Sequence, residues 1–275
     1  MLASGFTDRQ ISLVSSNAQN ISNASWEVGT FAEALTELYW PSMAVFSGHA
    51  IPFPRKLTGL DNATNVVAIA NTVVSNKPPW SLPLVADDGA VGDPASIGNA
   101  VLFANWTNVD RWNATFADAA RGQLQYLMEE APRTAEGAIS HRVDQVQLWA
   151  DFVYMAPPFI AYYGALQGGQ DGQELLQAAY DQCRLYRDVL FDADASLWRH
   201  VAYGNFEDPS HWATGNGWAA AGMMRVLSTI AMSDAAGSMK PQQQNLTMWV
   251  HEILNGTWAH QQDNGILLNT LDDPA

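Results

Sequence analysis

The chain has 275 residues, enough for one large domain or two small ones, and 48% of them are hydrophobic, so a sizeable core can form. A formal charge of −15 argues against nucleic acid and anionic membranes as partners, since both call for the opposite balance. One cysteine, Cys183, excludes an intrachain disulfide and a cysteine-based zinc site, and no apolar run is long enough to cross a bilayer.

Helical periodicity dominates and strand alternation is scarce. Trp26–Trp40 reads as a first helix, closed by Pro41. Asp61 reads as the N-cap of a second over Asn62–Asn76, with Val66, Val67, Ile69, Ala70 and Val73 as its apolar stripe. An irregular stretch rich in Pro and Gly follows, from Lys77 to Gly92. Asp93 then caps a third helix reaching Trp106, with Pro94 at its first position. A fourth spans Arg111–Glu130. After a long connection the fifth covers Gln147–Leu166, kinked at Pro157 and Pro158. The sixth is Gly172–Leu190, the seventh Trp212–Met232 after another long connection, and the eighth Pro241–Trp258.

Long connections follow helices two, four and six, and short ones follow three, five and seven. Short connections make antiparallel hairpins, so the odd-numbered helices run one way and the long loops gather at one end. That brings Asp93, Asp151 and the turn Thr214–Gly217 to one face, where loops on a rigid scaffold usually carry function.

Asp151 is the strongest candidate for chemistry. It lies among Trp149, Phe152, Tyr154 and Met155, and burial in apolar company disfavours the charged carboxylate. A carboxyl kept protonated near neutral pH suits a general acid. The plainer reading makes Asp151 and Asp93 helix caps, and pairing of the two would raise one of them by like-charge repulsion. Eleven tryptophans exceed common usage; most belong in a core, but exposed ones match the flat face of a sugar. His141, His200 and His211 lack metal-ligand spacing, so no metal or other cofactor is expected. Asn20, Asn23, Asn62, Asn105, Asn113, Asn245 and Asn255 each open an N-x-S/T triplet. That density fits surface loops of a glycosylated, secreted protein whose signal peptide is not part of this chain.

Three segments together resemble the six-hairpin glycosidases, in particular the unsaturated rhamnogalacturonyl and glucuronyl hydrolases. They are QLWADFVYMAPPF at Gln147–Phe159, LWRH at Leu197–His200 and WATGNGWAAAG at Trp212–Gly222, with GDPASIG at Gly92–Gly98 as a fourth piece. The resemblance implies an all-α (α/α)6 toroid in a single domain over residues 1–275, with residues 1–25 peripheral. Eight helices against the implied twelve leave either two hairpins beyond the chain or an open ring. It also implies metal-free hydration of a terminal 4,5-unsaturated uronic acid: a proton goes to C4, water adds at C5, and the hemiketal opens to release the linked sugar. Asp151 matches the family's donor and base, and Asp93 its second aspartate. His200, Trp212, Asn216, Trp218 and Trp149 are the implied substrate contacts, with His141 a further one. The family often carries arginine where this chain has Thr214; Arg142 or Arg199 is the expected substitute for binding the uronate carboxylate. A conventional two-carboxylate glycosidase and a non-catalytic sugar-binding toroid are the alternatives.

Overall fold

The computed structural model describes residues 5–47, 51, 63–107 and 115–273. Ten α-helices occur among them. α1 (Asp8–Ile21) is opened by a capping box between Thr7 and Gln10 and buries none of its residues. It falls in the segment the sequence marked only as peripheral. α2 (Ser25–Tyr39) and α3 (Thr64–Asn76) match the first two predicted helices. The Asp61 cap, and the start of the fourth predicted helix at Arg111, lie outside the described residues.

The third predicted helix is a 3₁₀ turn, Asp93–Ile97, running into α4 (Gly98–Thr107). α5 (Thr115–Gln125) ends in a π turn at Tyr126–Glu130. The fifth predicted helix divides. Leu148–Trp149 is a strand, β1, and the helical part starts only at α6 (Phe152–Met155), continuing after a break at Ala156 as α7 (Pro157–Gln167). α8 (Gly169–Leu190) follows through Gly168, whose φ of 68° suits glycine in a tight helix-to-helix link.

The connection 191–212 holds three two-residue strands: β2 (Phe191–Asp192), β3 (Leu197–Trp198) and β4 (Val201–Ala202). β2 pairs with β3, and β1 with β4. Strands this short have no readable alternation, so the sequence could not show them. α9 (Ala213–Met232) and α10 (Lys240–Ala259) close the order.

α2, α4, α7 and α9 are the inner helices, each packed on the next, and α3, α5, α8 and α10 form the outer layer. Composition explains the division. α7 buries residues around its whole circumference, as a helix apolar on all sides must. α8 buries only the stripe containing Leu176, Ala179, Cys183, Tyr186 and Leu190. Inner helices approach closely where side chains are absent. A Cβ on Gly222 would sit 2.1 Å from the Val153 carbonyl oxygen, and one on Gly92 2.8 Å from the Phe152 ring. Gly222 thus lets α9 lie directly on α6, and Gly92 lets the 3₁₀ turn do the same, which draws Asp93 and Asp151 together.

Candidate active site

Neither aspartate caps a helix through its side chain. The Asp151 carbonyl accepts the Tyr154 and Met155 amides, at 3.0 and 3.2 Å, while its carboxyl bonds no backbone amide. Gly92 takes the cap position before the 3₁₀ turn, again without a side-chain bond. Both carboxyls are therefore free for other work.

Asp151 is placed by β1. Its neighbour Ala150 donates from N to the His200 carbonyl at 2.9 Å, which ties the approach to α6 to the 191–212 connection. The same tie brings the His200 ring to Asp151. Nε2 lies 3.4 Å from Asp151 Oδ2, and both atoms are sealed from solvent without another partner. That distance is loose for a hydrogen bond, as unliganded sites often are, but short enough for charge to matter. The Asp151 side chain stays 16% exposed, while one oxygen faces His200. At the other side of the ring, Nδ1 meets Asp208 Oδ2 at 2.9 Å. Burial alone would lower the His200 pKa, but hydrogen bonds and charge from Asp151 and Asp208 outweigh it, and the net shift is upward.

Asp93 sits where Asp151 can act on it. Burial, then the charges of Asp88 and Asp151, push its pKa up to about 7, against a smaller lowering by Arg142. Here, then, is a carboxyl that holds its proton into the neutral range. Asp88 was not singled out in the sequence; it accepts from Ser25 Oγ at 2.5 Å and from the Ala90 amide at 3.0 Å. The acidic pair Asp87–Asp88 in a Gly-rich stretch was the available signal.

Aromatic rings surround His200. Trp149 stacks on His141 with centroids 4.8 Å apart, meets His200 edge-on at 5.4 Å and Phe206 at 5.8 Å, and donates Nε1–H to Gln147. Trp212 packs on His200 at 4.6 Å. Trp218, an implied substrate contact, belongs to a separate group, 4.5 Å from Tyr154 and 6.4 Å from Trp26, away from Trp212 and His200. Trp212 is the residue just before α9 and Trp218 lies six residues on, inside the helix, so their rings point to different faces. Asn216 is corrected more sharply. It is buried, its Oδ1 accepts from the Trp198 amide at 2.8 Å, and its Nδ2 donates to the Trp198 and Trp212 carbonyls, which leaves it nothing for a sugar. It buttresses the β3 loop instead. Gly215 and Gly217 lie inside α9 and make no turn; a Cβ on Gly215 would press on Trp212 at 3.1 Å. His141 is only 5% exposed, and burial lowers its pKa to about 4, so it is neutral at the site.

A model of Glycosyl Hydrolase Family 88 matches residues 91–275. The chain belongs to that family. It is 25% identical over 249 residues to the unsaturated rhamnogalacturonyl hydrolase YesR of Bacillus subtilis, covering 86% of this chain and 64% of that protein, so it spans a little under two thirds of that relative's length. Two solved structures share the fold. A glycoside hydrolase of family 105 from C. acetobutylicum superposes with a TM-score of 0.68 at 15% identity, over 98% of this chain and 70% of that one. A possible member of family 105 from Klebsiella pneumoniae gives 0.69 at 16%, over 100% and 72%. These likenesses show the all-α toroid of helical hairpins expected of the chain.

In this family 88 protein Thr214 is exposed on the first turn of α9 and brings no charge. Arg199 is not a substitute, because its guanidinium is bound to Asp192 at 2.6 Å beside β2 and β3. Arg142 is placed differently. Its Nε makes a long contact of 3.3 Å to Asp144, its side chain is about one-third exposed, and its charge is felt by both Asp93 and His141. Gly89 makes room for it, since a Cβ there would lie 3.2 Å from the guanidinium. Among the described residues, Arg142 is the cation whose charge lowers both.

Proposed function

We propose that the protein is a glycoside hydrolase acting on oligosaccharides that end in a 4,5-unsaturated uronic acid, a reading supported by its similarity to an unsaturated rhamnogalacturonyl hydrolase of Bacillus subtilis. The observation that supports this reading is a pair of carboxyls at one end of the helices: Asp93, whose pKa burial and the charges of Asp88 and Asp151 push up to about 7, and Asp151, which faces the His200 ring flanked by Trp149 and Trp212. Hydration of the enol ether needs that pair. The C4=C5 electrons take a proton at C4, a water oxygen bonds to C5, and the water's own proton must be removed. The hemiketal then opens and the linked sugar leaves, with no attack at the anomeric carbon. Trp149 and Trp212 offer flat faces for the sugar. The test is spectroscopic: an unsaturated disaccharide loses its ultraviolet absorbance as the double bond is hydrated. Sugar release from saturated substrates alone would favour a conventional two-carboxylate mechanism instead.

Arg142 is the anchor we assign to the substrate carboxylate. It supplies a local positive charge in a chain of net charge −15, which would otherwise repel an acidic sugar. Arg142→Met is expected to raise KM for the free acid about tenfold to a hundredfold, the worth of a charged hydrogen bond, with little change for the methyl ester. Equal losses on acid and ester would remove Arg142 from this role.

We also infer passage through the secretory pathway. Of the sequon asparagines in the described residues, Asn20, Asn23, Asn105 and Asn255 are exposed, whereas Asn245 is half-buried and donates to the Tyr180 hydroxyl at 2.7 Å. Asn20, Asn105, Asn245 and Asn255 lie within helices rather than the loops expected. Glycopeptide mapping after secretion from a eukaryotic host should find glycan at the exposed positions and none at Asn245. A secreted product bare at every site counts against the inference.

A further inference from the structure

Beyond Trp149, the connection that carries His200 presents two more aromatic side chains. Tyr203 and Phe206 are 43% and 48% exposed, and Phe206 meets Trp149 edge-on with centroids 5.8 Å apart. The backbone beneath them is strained and held. Tyr203 sits at φ 70°, in the left-handed region that a tyrosine rarely occupies, and Gly204 follows at 75°. Gln147 Nε2 donates to the Tyr203 and Phe206 carbonyls at 3.2 and 2.7 Å, while its Oε1 accepts from Trp149 Nε1 at 2.9 Å. Gln145 Oε1 accepts the Asn205 amide at 2.7 Å, and its Nε2 donates to Asn205 Oδ1 at 3.0 Å. Glu207 Oε1 accepts the Tyr203 amide at 3.1 Å. A Cβ on Gly204 would lie 2.7 Å from Gln145 Oε1, so this clamp closes only on glycine. Val143 and Val146, on the clamping segment, are exposed as well.

We infer that the loop 203–207 is a platform for the sugar linked to the unsaturated uronic acid, with Phe206 and Tyr203 as its stacking faces and Gln147 as the residue that positions it. This rests on the hydrolase reading above. Gln147 is fully buried, and its one amide group fixes both the loop and the Trp149 ring. Phe206 therefore keeps one place relative to a ring that lies beside His200. Strain of the kind seen at Tyr203 persists only where the surroundings over-determine it, and it gathers at segments that hold ligands. What the hydrogen bonds hold here is a pair of aromatic rings turned partly to solvent, not into the core. The charged groups of the loop and the residue after it are Glu207 and Asp208, both acidic. Ring stacking on the apolar face of a sugar, not ion pairing, is thus the contact the platform offers.

The test compares two unsaturated substrates that differ only in what is linked at C1, a disaccharide and a methyl glycoside, each followed by its loss of ultraviolet absorbance. Phe206→Ala should lower the ratio of kcat/KM for the disaccharide to that for the methyl glycoside by about threefold to tenfold, the worth of one stacked ring, through a higher KM for the disaccharide. Phe206→Tyr, which keeps a ring, should restore the ratio. Tyr203→Asn, which tolerates the left-handed backbone, should lower it in the same sense and serves as a second loss variant should Phe206→Ala fail to fold. A ratio unmoved in either folded loss variant overturns the proposal. A wild type that leaves both substrates intact overturns the hydrolase reading instead, and the platform is then judged by binding, read from tryptophan fluorescence. The wild type should hold the disaccharide at least about threefold more tightly than the methyl glycoside, and Phe206→Ala should lose that preference. Equal affinities in the wild type overturn the platform.

Discussion

Asp151→Asn is expected to abolish ultraviolet-detected hydration, lowering kcat by about 10²–10⁴, the usual worth of a positioned general acid or base. The substitution keeps shape and removes charge, so the fold and KM should change little. Asp151 makes no side-chain bond to the backbone, and its carbonyl, not its carboxyl, starts α6. The His200 midpoint should fall in the same variant, because one of the two carboxylates that raise it is gone. Turnover at the wild-type rate in Asp151→Asn would sink the assignment of chemistry to this residue.

Asp93→Asn is expected to act in two directions at once. Hydration is expected to fall with loss of the second site carboxyl. Stability, in contrast, should rise at alkaline pH, and the sign follows from proton linkage. The folded Asp93 carboxyl holds its proton up to about pH 7, whereas an unfolded aspartate has lost it by about pH 4. Between those values the folded chain binds the extra proton, so stability declines as pH rises from about 4 to 7, and the full cost is present above 7. Removing the carboxyl should stabilise the protein at pH 8 by up to about 4 kcal/mol, since each tenfold change in proton affinity is worth about 1.4 kcal/mol. At pH 3 the two proteins should melt alike. His141 works on the acid side: its pKa is lowered to about 4, so stability is lost as pH falls from about 6.5 towards 4, in wild type and variant alike. Denaturant unfolding across pH 3–9 measures both limbs. An Asp93→Asn variant no more stable than wild type at pH 8 would contradict a buried, proton-holding Asp93. Gain of stability with loss of function is the pattern expected of a strained functional site.

Much of the site was legible because helix period and connection length are local properties. Trp26–Trp40, Gly172–Leu190 and Trp212–Met232 were placed within a few residues of α2, α8 and α9. The alternation of long and short connections put Asp93, Asp151 and the start of α9 at one end, which is where Asp93 feels Asp151 and Asp151 meets His200. Leu148–Trp149 was misassigned because its partner, Val201–Ala202, is more than fifty residues away, and a two-residue strand exists only through that pairing.

Side-chain roles were another matter. Asn216 and Trp218 look alike in the motif as sugar contacts, yet the loop carrying Trp198 consumes every polar atom of one, and Trp26 with Tyr154 claims the ring of the other. Asp208 and Asp88 had no spacing to mark them, and their importance comes from what folds against them. The sequence by itself determined most of the helices, their pairing into hairpins and the end at which Asp93 and Asp151 meet, because helix period and connection length are local properties. Only the tertiary structure decided that burial and neighbouring charges push the Asp93 pKa up and that Asp151 faces the His200 ring. Desolvation and Coulomb energy depend on distances between groups far apart in the chain, and no local pattern encodes those distances.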